Sequence, residues 1–169
     1  RTVMKSIKML ISGNPGIGKT VLMGSTVEVP EMLPALFIDF EGNTDSIESS
    51  CHYISYEEAL DLIAGKFTPI PNKLHCVRLR NTKEPKAYAI DNFVKLFEAL
   101  EYNAEKMHVK TVLVDSLTRL DENSLRKFVE TLQVNRTYKG VADFPDYKNN
   151  YAVMMNVCYR FQDTDYNII

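Results

Sequence analysis

Gly13-Asn14-Pro15-Gly16-Ile17-Gly18-Lys19-Thr20 is the stretch that decides what fold this chain can adopt. It satisfies the pattern G-x-x-x-x-G-K-[S/T] at every fixed position. A loop can wrap a dense polyanion such as a triphosphate only if its backbone N–H groups point inward. Glycines permit the required backbone angles and the close approach that side chains would obstruct. Lys19 then offers a mobile cation to the β- and γ-phosphates, and the Thr20 hydroxyl can ligate Mg²⁺. The expected ligands are ATP and magnesium, contacted by Gly13, Asn14, Pro15, Gly16, Ile17, Gly18, Lys19 and Thr20, with Val21 following in the first helical turn.

Context supports the motif. Upstream, Ile7-Lys8-Met9-Leu10-Ile11 reads as a buried strand ending near a glycine, and Lys19 to about Val27 reads as a helix. Further out, Ala35–Phe40, Leu74–Leu79 and Thr111–Asp115 read as strands. Ser55-Tyr56-Glu57-Glu58 has the form of a capping box and predicts a helix to about Ala64. Helical spacing of apolar residues predicts helices from Pro85 to about Tyr102, around Leu125–Leu132, and around Met154–Phe161. Between the last two, Asn135–Asn150 reads as a polar, aromatic-rich loop. Strands alternating with helices predict one α/β domain with a mostly parallel sheet over residues 1–169.

A phosphate loop of this type needs an acidic residue at the end of another strand to hold the metal. Asp115 ends the apolar run Thr111–Val114 and is the candidate, with Ser116 beside it. Strand alternation would send Asp39 and Glu41 to one face, where a carboxylate could orient or deprotonate an attacking water. A solvated acidic turn is the competing account of that pair. Asp39-Phe40-Glu41-Gly42 also spells D-x-x-G, a GTPase signature. The nearest partner motif, Asn72-Lys73-Leu74-His75, lacks the aspartate that guanine recognition requires, so the GTPase reading is rejected.

The chain has 169 residues, a formal net charge of −2, and 45% hydrophobic and 25% charged residues, figures of an ordinary globular domain with no global pull toward nucleic acid or anionic membrane. Cys51, Cys76 and Cys158 are an odd number without paired spacing, which suggests neither a disulfide framework nor a zinc site. Apolar runs are too short to span a bilayer, and no signal segment is recognisable, so an intracellular setting and no membrane partner are expected. The start at Arg1 and the finish on a nascent strand at Asn167-Ile168-Ile169 suggest a chain trimmed at its C-terminus.

Taken together, Gly13–Thr20, Phe37–Asp45 and Thr111–Leu117 resemble RecA-like P-loop ATPases, in which a strand ends in D-x-E with an aspartate four residues on, and another ends in V-D-S. The similarity covers nearly the whole chain and is greatest to the compact phage-encoded nucleotide-binding (AAA-type) proteins thought to assist single-strand annealing or recombination. The resemblance implies a three-layer αβα sandwich, ATP hydrolysis, Glu41 as catalytic glutamate beside Lys19, Thr20 and Asp115 as metal ligands, and Asp45 near the adenine. It further implies single-stranded DNA at Asn135–Asn150, assembly as a homo-oligomeric ring or filament, and the cytoplasm of a bacterial host. In that loop Arg136, Lys139 and Lys148 alternate with Tyr138, Phe144, Tyr147 and Tyr151, while Asp143 and Asp146 offset the charge. An alternative expectation is a nucleotide-dependent switch with negligible hydrolysis.

Overall fold

The computed structural model describes residues 6–83, 86–132 and 140–169. Its centre is a parallel sheet of strands β1 (Ala35–Asp39), β2 (Cys51–Ile54), β3 (Leu74–Arg78), β6 (Thr111–Asp115) and β7 (Asn167–Ile168) in the order β2-β3-β1-β6-β7. A two-stranded antiparallel ribbon, β4 (Thr82–Lys83) and β5 (Lys86–Ala87), stands apart from it. Helices α1 (Lys19–Gly24), α2 (Tyr56–Ile63), α3 (Ala89–Tyr102), α4 (Leu117–Leu132) and α5 (Phe144–Asp163) complete the regular structure.

Central strands β1 and β6 are buried at every position, as continuous β-branched and leucine-rich runs covered on both faces must be. On one face Ala35, Phe37, Leu74, Cys76 and Leu113 pack against Met23 of α1 and against Ile47 in the 3-10 segment Asp45–Ser50. On the other, Leu36, Ile38, Val77, Val112 and Val114 meet α2, α3, α4 and α5. The result is the expected three-layer αβα sandwich. The capping box forms as expected: Ser55 Oγ accepts from Glu58 N, and Glu58 Oε2 accepts from Ser55 N at 2.7 Å.

Three expectations need correction. Ile7–Ile11 is not a buried strand. It makes a single parallel bridge, Lys8 to Ile168, and leaves Ile7, Met9 and Leu10 exposed. The segment lies at the sheet margin, where β7 alone pairs with it among the described residues. Second, β2 was not foreseen, because Cys51-His52-Tyr53-Ile54 is too short and mixed to carry a period. Third, the stretch expected as a loop to Asn150 turns helical at Phe144. Asp143 Oδ1 accepts from Asp146 N while Asp146 Oδ2 accepts from Asp143 N, and Pro145 sits in the first turn, so a second capping box starts α5 early. Residues 135–139 of that stretch lie outside the described residues.

His75 on β3 is fully buried and its Nε2 accepts from Ile70 N at 3.0 Å. Burial lowers its pKa from the ordinary 6.5, the nearby His52 lowers it further, and the Ala35 backbone opposes. The folded protein therefore binds this proton less readily than the unfolded chain does. Its contribution to stability is intact above the ordinary value and is lost as pH falls below it. Urea midpoints should drop between about pH 7.5 and 5.5, and His75→Gln should flatten that slope. An unchanged slope in the variant would remove His75 as the cause.

Candidate nucleotide site

Alternation places Asp115, Asp39 and Arg78 on the α1 face of the sheet, at the C-terminal edge of three adjacent strands. Asp39 is in register with both of the others. The phosphate-loop residues Gly13–Gly18 lead directly into α1, with Gly18 as its N-cap in the left-handed region (φ 91°). Gly16 shares that region (φ 81°), and neither position would tolerate a side chain without strain. Gly13 has a different reason: a Cβ there would lie 2.1 Å from Ile17 Cδ1.

Lys19 Nζ donates to the carbonyls of Gly13 (2.9 Å) and Asn14 (3.0 Å), so the ammonium is folded back across the loop it belongs to. Thr20 Oγ1 donates to Asp115 Oδ2 at 2.8 Å, joining the start of α1 to the end of β6 across 95 residues of sequence. Burial pushes the Asp115 carboxyl above the usual carboxylate range. The Thr20 hydroxyl opposes this, nearby Glu41 and Asp39 add to it, and Lys19 works against it. A buried carboxylate crowded by two others is relieved by a cation.

Next door, Ser116 Oγ donates to Glu41 Oε1 at 2.7 Å. The Asp115–Ser116 peptide is cis. Phe40 N donates to Asp115 O at 2.7 Å, which ties the turn carrying Glu41 to the β6 terminus. Asp39 and Glu41 thus part company. Asp39 is buried, accepts from Gly42 N (2.6 Å) and from Arg78 Nε (2.9 Å), and is fully engaged in holding the turn. Glu41 is the exposed member of the pair. Arg78 escaped the sequence reading because its pairing with Asp39 depends on β3 lying beside β1, which no local pattern reveals.

The expected residues therefore fall into two groups. Lys19, Thr20, Asp115 and Glu41 converge, while Asn14, Pro15, Ile17 and Val21 line the exposed loop and first turn. Asp45 is set apart and exposed, at the head of the 3-10 segment whose Ile47 packs against Gly24 of α1. The donor set Thr20 Oγ1 and Asp115 Oδ2 is hard oxygen, few in number, and suits Mg²⁺, which keeps waters and phosphate oxygens as its other ligands. Among the described residues no cluster of three or more His, Cys, Asp or Glu could hold a metal by itself. Of the Asn72–His75 stretch weighed as a guanine motif, Leu74 and His75 belong to β3 and are buried.

No helix among the described residues is long and apolar enough to cross a membrane. Comparison with curated proteins and with solved structures gives no match. A family model described as an AAA domain matches residues 5–169, taking in the phosphate loop, the sheet and every residue that converges on it. With that span matched and a parallel αβα sandwich beneath it, the chain belongs to the AAA domain family.

Proposed function

We propose that the chain binds Mg·ATP at Gly13–Thr20 and hydrolyses it. The observation that carries this reading is the Thr20–Asp115 hydrogen bond at 2.8 Å with Glu41 held beside it by Ser116. A metal-binding pair and a carboxylate base stand together at one sheet edge. Family membership favours nucleotide use independently.

In this reading Lys19 leaves the Gly13 and Asn14 carbonyls for the β- and γ-phosphates. Thr20 and Asp115 would hold a magnesium ion, which would supply neutralisation of charge on the same phosphates. Glu41 accepts a proton from water as its oxygen attacks the γ-phosphorus in line, and the bond to the β–γ bridging oxygen breaks to release ADP and phosphate. Ser116 keeps the Glu41 carboxylate aimed. Asp45 is assigned to the adenine side.

The wider role we infer is phage DNA recombination, single-strand annealing or replication, in a bacterial cytoplasm, with a homo-oligomeric ring or filament as the working form. The exposed side chains of Phe144, Tyr147 and Tyr151 recur along one side of α5 with Lys148 among them, a surface suited to stacking bases and meeting phosphates. The test is ATP turnover with Mg²⁺ at low salt, with and without single-stranded DNA, using Lys19→Ala as blank. Turnover should rise by about tenfold with DNA and vanish in the blank. Binding without turnover in either condition would sink the hydrolase and leave a nucleotide switch.

A further inference from the structure

Arg80 has no task in the site as described, yet its surroundings are unusual. Among the described residues Arg78, Arg119, Arg126 and Arg160 each hold a carboxylate, at 2.9, 2.6, 3.0 and 2.7 Å. Arg80 alone has no such partner. It follows β3 on the face of Arg78, since Leu79 between them is buried in the opposite core and its N–H donates to Asp39 O. That face is the one α1 and the phosphate loop cover.

Arg80 is exposed, but its guanidinium rests against a definite neighbour. It crosses from β3 to the turn after β1, where a Cβ built on Gly42 would lie 2.2 Å from Arg80 Nη2 and 3.7 Å from Arg78 Cζ. Gly42 also takes a left-handed conformation (φ 83°) that a side chain would strain. The glycine thus does two things: it lets the turn close on Asp39, and it leaves the room Arg80 occupies. Two guanidinium groups meet over one glycine, and the Asp39 carboxylate is already engaged by Arg78 and by Gly42 N. Glu41, the next residue back, is occupied by Ser116. What remains is a guanidinium with no ion-pair partner among the described residues, at the turn that follows Glu41 and on the sheet edge that also ends in Asp115.

We propose that Arg80 is a second cation for the terminal phosphate of the bound nucleotide, reaching it from the turn after Glu41 while Lys19 reaches it from the phosphate loop. The ligand chemistry is a phosphoryl group carrying full charge, as the γ-phosphate of ATP does and ADP lacks. Arginine suits this because its planar fork can donate twice to such a group. Arg80 then reads whether the third phosphate is present. The inference rests on nucleotide binding at Gly13–Thr20.

Calorimetric titration with Mg²⁺ and either ADP or a non-hydrolysable ATP analogue tests it without requiring turnover. Wild type should favour the analogue. Arg80→Ala should weaken the analogue by about tenfold and leave ADP within about twofold, and Arg80→Lys should recover part of the loss. Because Arg80 is exposed, thermal melts of both variants should match wild type. An unchanged analogue-to-ADP ratio in Arg80→Ala, with wild type binding both, overturns the role of Arg80 and spares the phosphate loop. Wild type binding neither ligand overturns both.

Discussion

Glu41→Gln should lower ATP turnover by about a hundredfold or more while ATP affinity stays within about twofold. Glutamine keeps the shape of the side chain and an oxygen that can accept from Ser116 Oγ, so the local contact at 2.7 Å survives. It cannot take a proton from water. A loss confined to the catalytic step is therefore the signature of a base, whereas Lys19→Ala should lose nucleotide itself. Equal turnover in Glu41→Gln and wild type would show that the carboxylate is not the base. A parallel loss of affinity would mean that Glu41 serves binding instead.

Phe93→Ala should destabilise the fold by about 4 kcal/mol, lowering the urea midpoint without changing the slope. Phe93 is 1% exposed and stands where three rings meet: Phe40 at 5.5 Å edge-on, Phe97 at 5.1 Å and Phe161 at 6.0 Å edge-on. Truncation removes all three contacts and opens a cavity that helices packed on both sides cannot easily close. The ring also supports Phe40, the residue before Glu41, so residual activity at low temperature should fall too. A change below about 1 kcal/mol would mean the core collapses onto the gap.

How much could be read in advance depended on how local each feature is. The phosphate loop, the strand ending at Asp115 and the Ser55 cap are written in contiguous residues, and each appears in place. The second capping box at Asp143 was equally local and was overlooked because the aromatic, polar composition around it suggested a loop. Features that need strand order were invisible. Asp39 and Glu41 share a strand parity, yet one is sequestered by Arg78 from β3 and the other faces Ser116 from β6. The exposed margin at Ile7–Leu10 misled for a related reason: apolar composition says a strand wants burial and cannot say which neighbour will supply it.

That margin has a consequence for how the site comes into being. The segment feeding the phosphate loop touches neither β6 nor β1 by backbone pairing. Its links to the sheet are Met9 N to Ile168 O and Ile168 N to Ile7 O, while the adjoining Ile169 bonds to Val112 and Val114 of β6. A two-residue strand is the mortar between the loop that holds the phosphates and the strand that ends in Asp115. The side-chain carbonyl of Asn167 accepts from Ile7 N across a separation of 160 residues. On a ribosome adding about 5–20 residues per second, the loop emerges roughly 8–30 s before its anchor. Nascent chains of this protein should therefore carry a finished motif and no finished site until β7 is made.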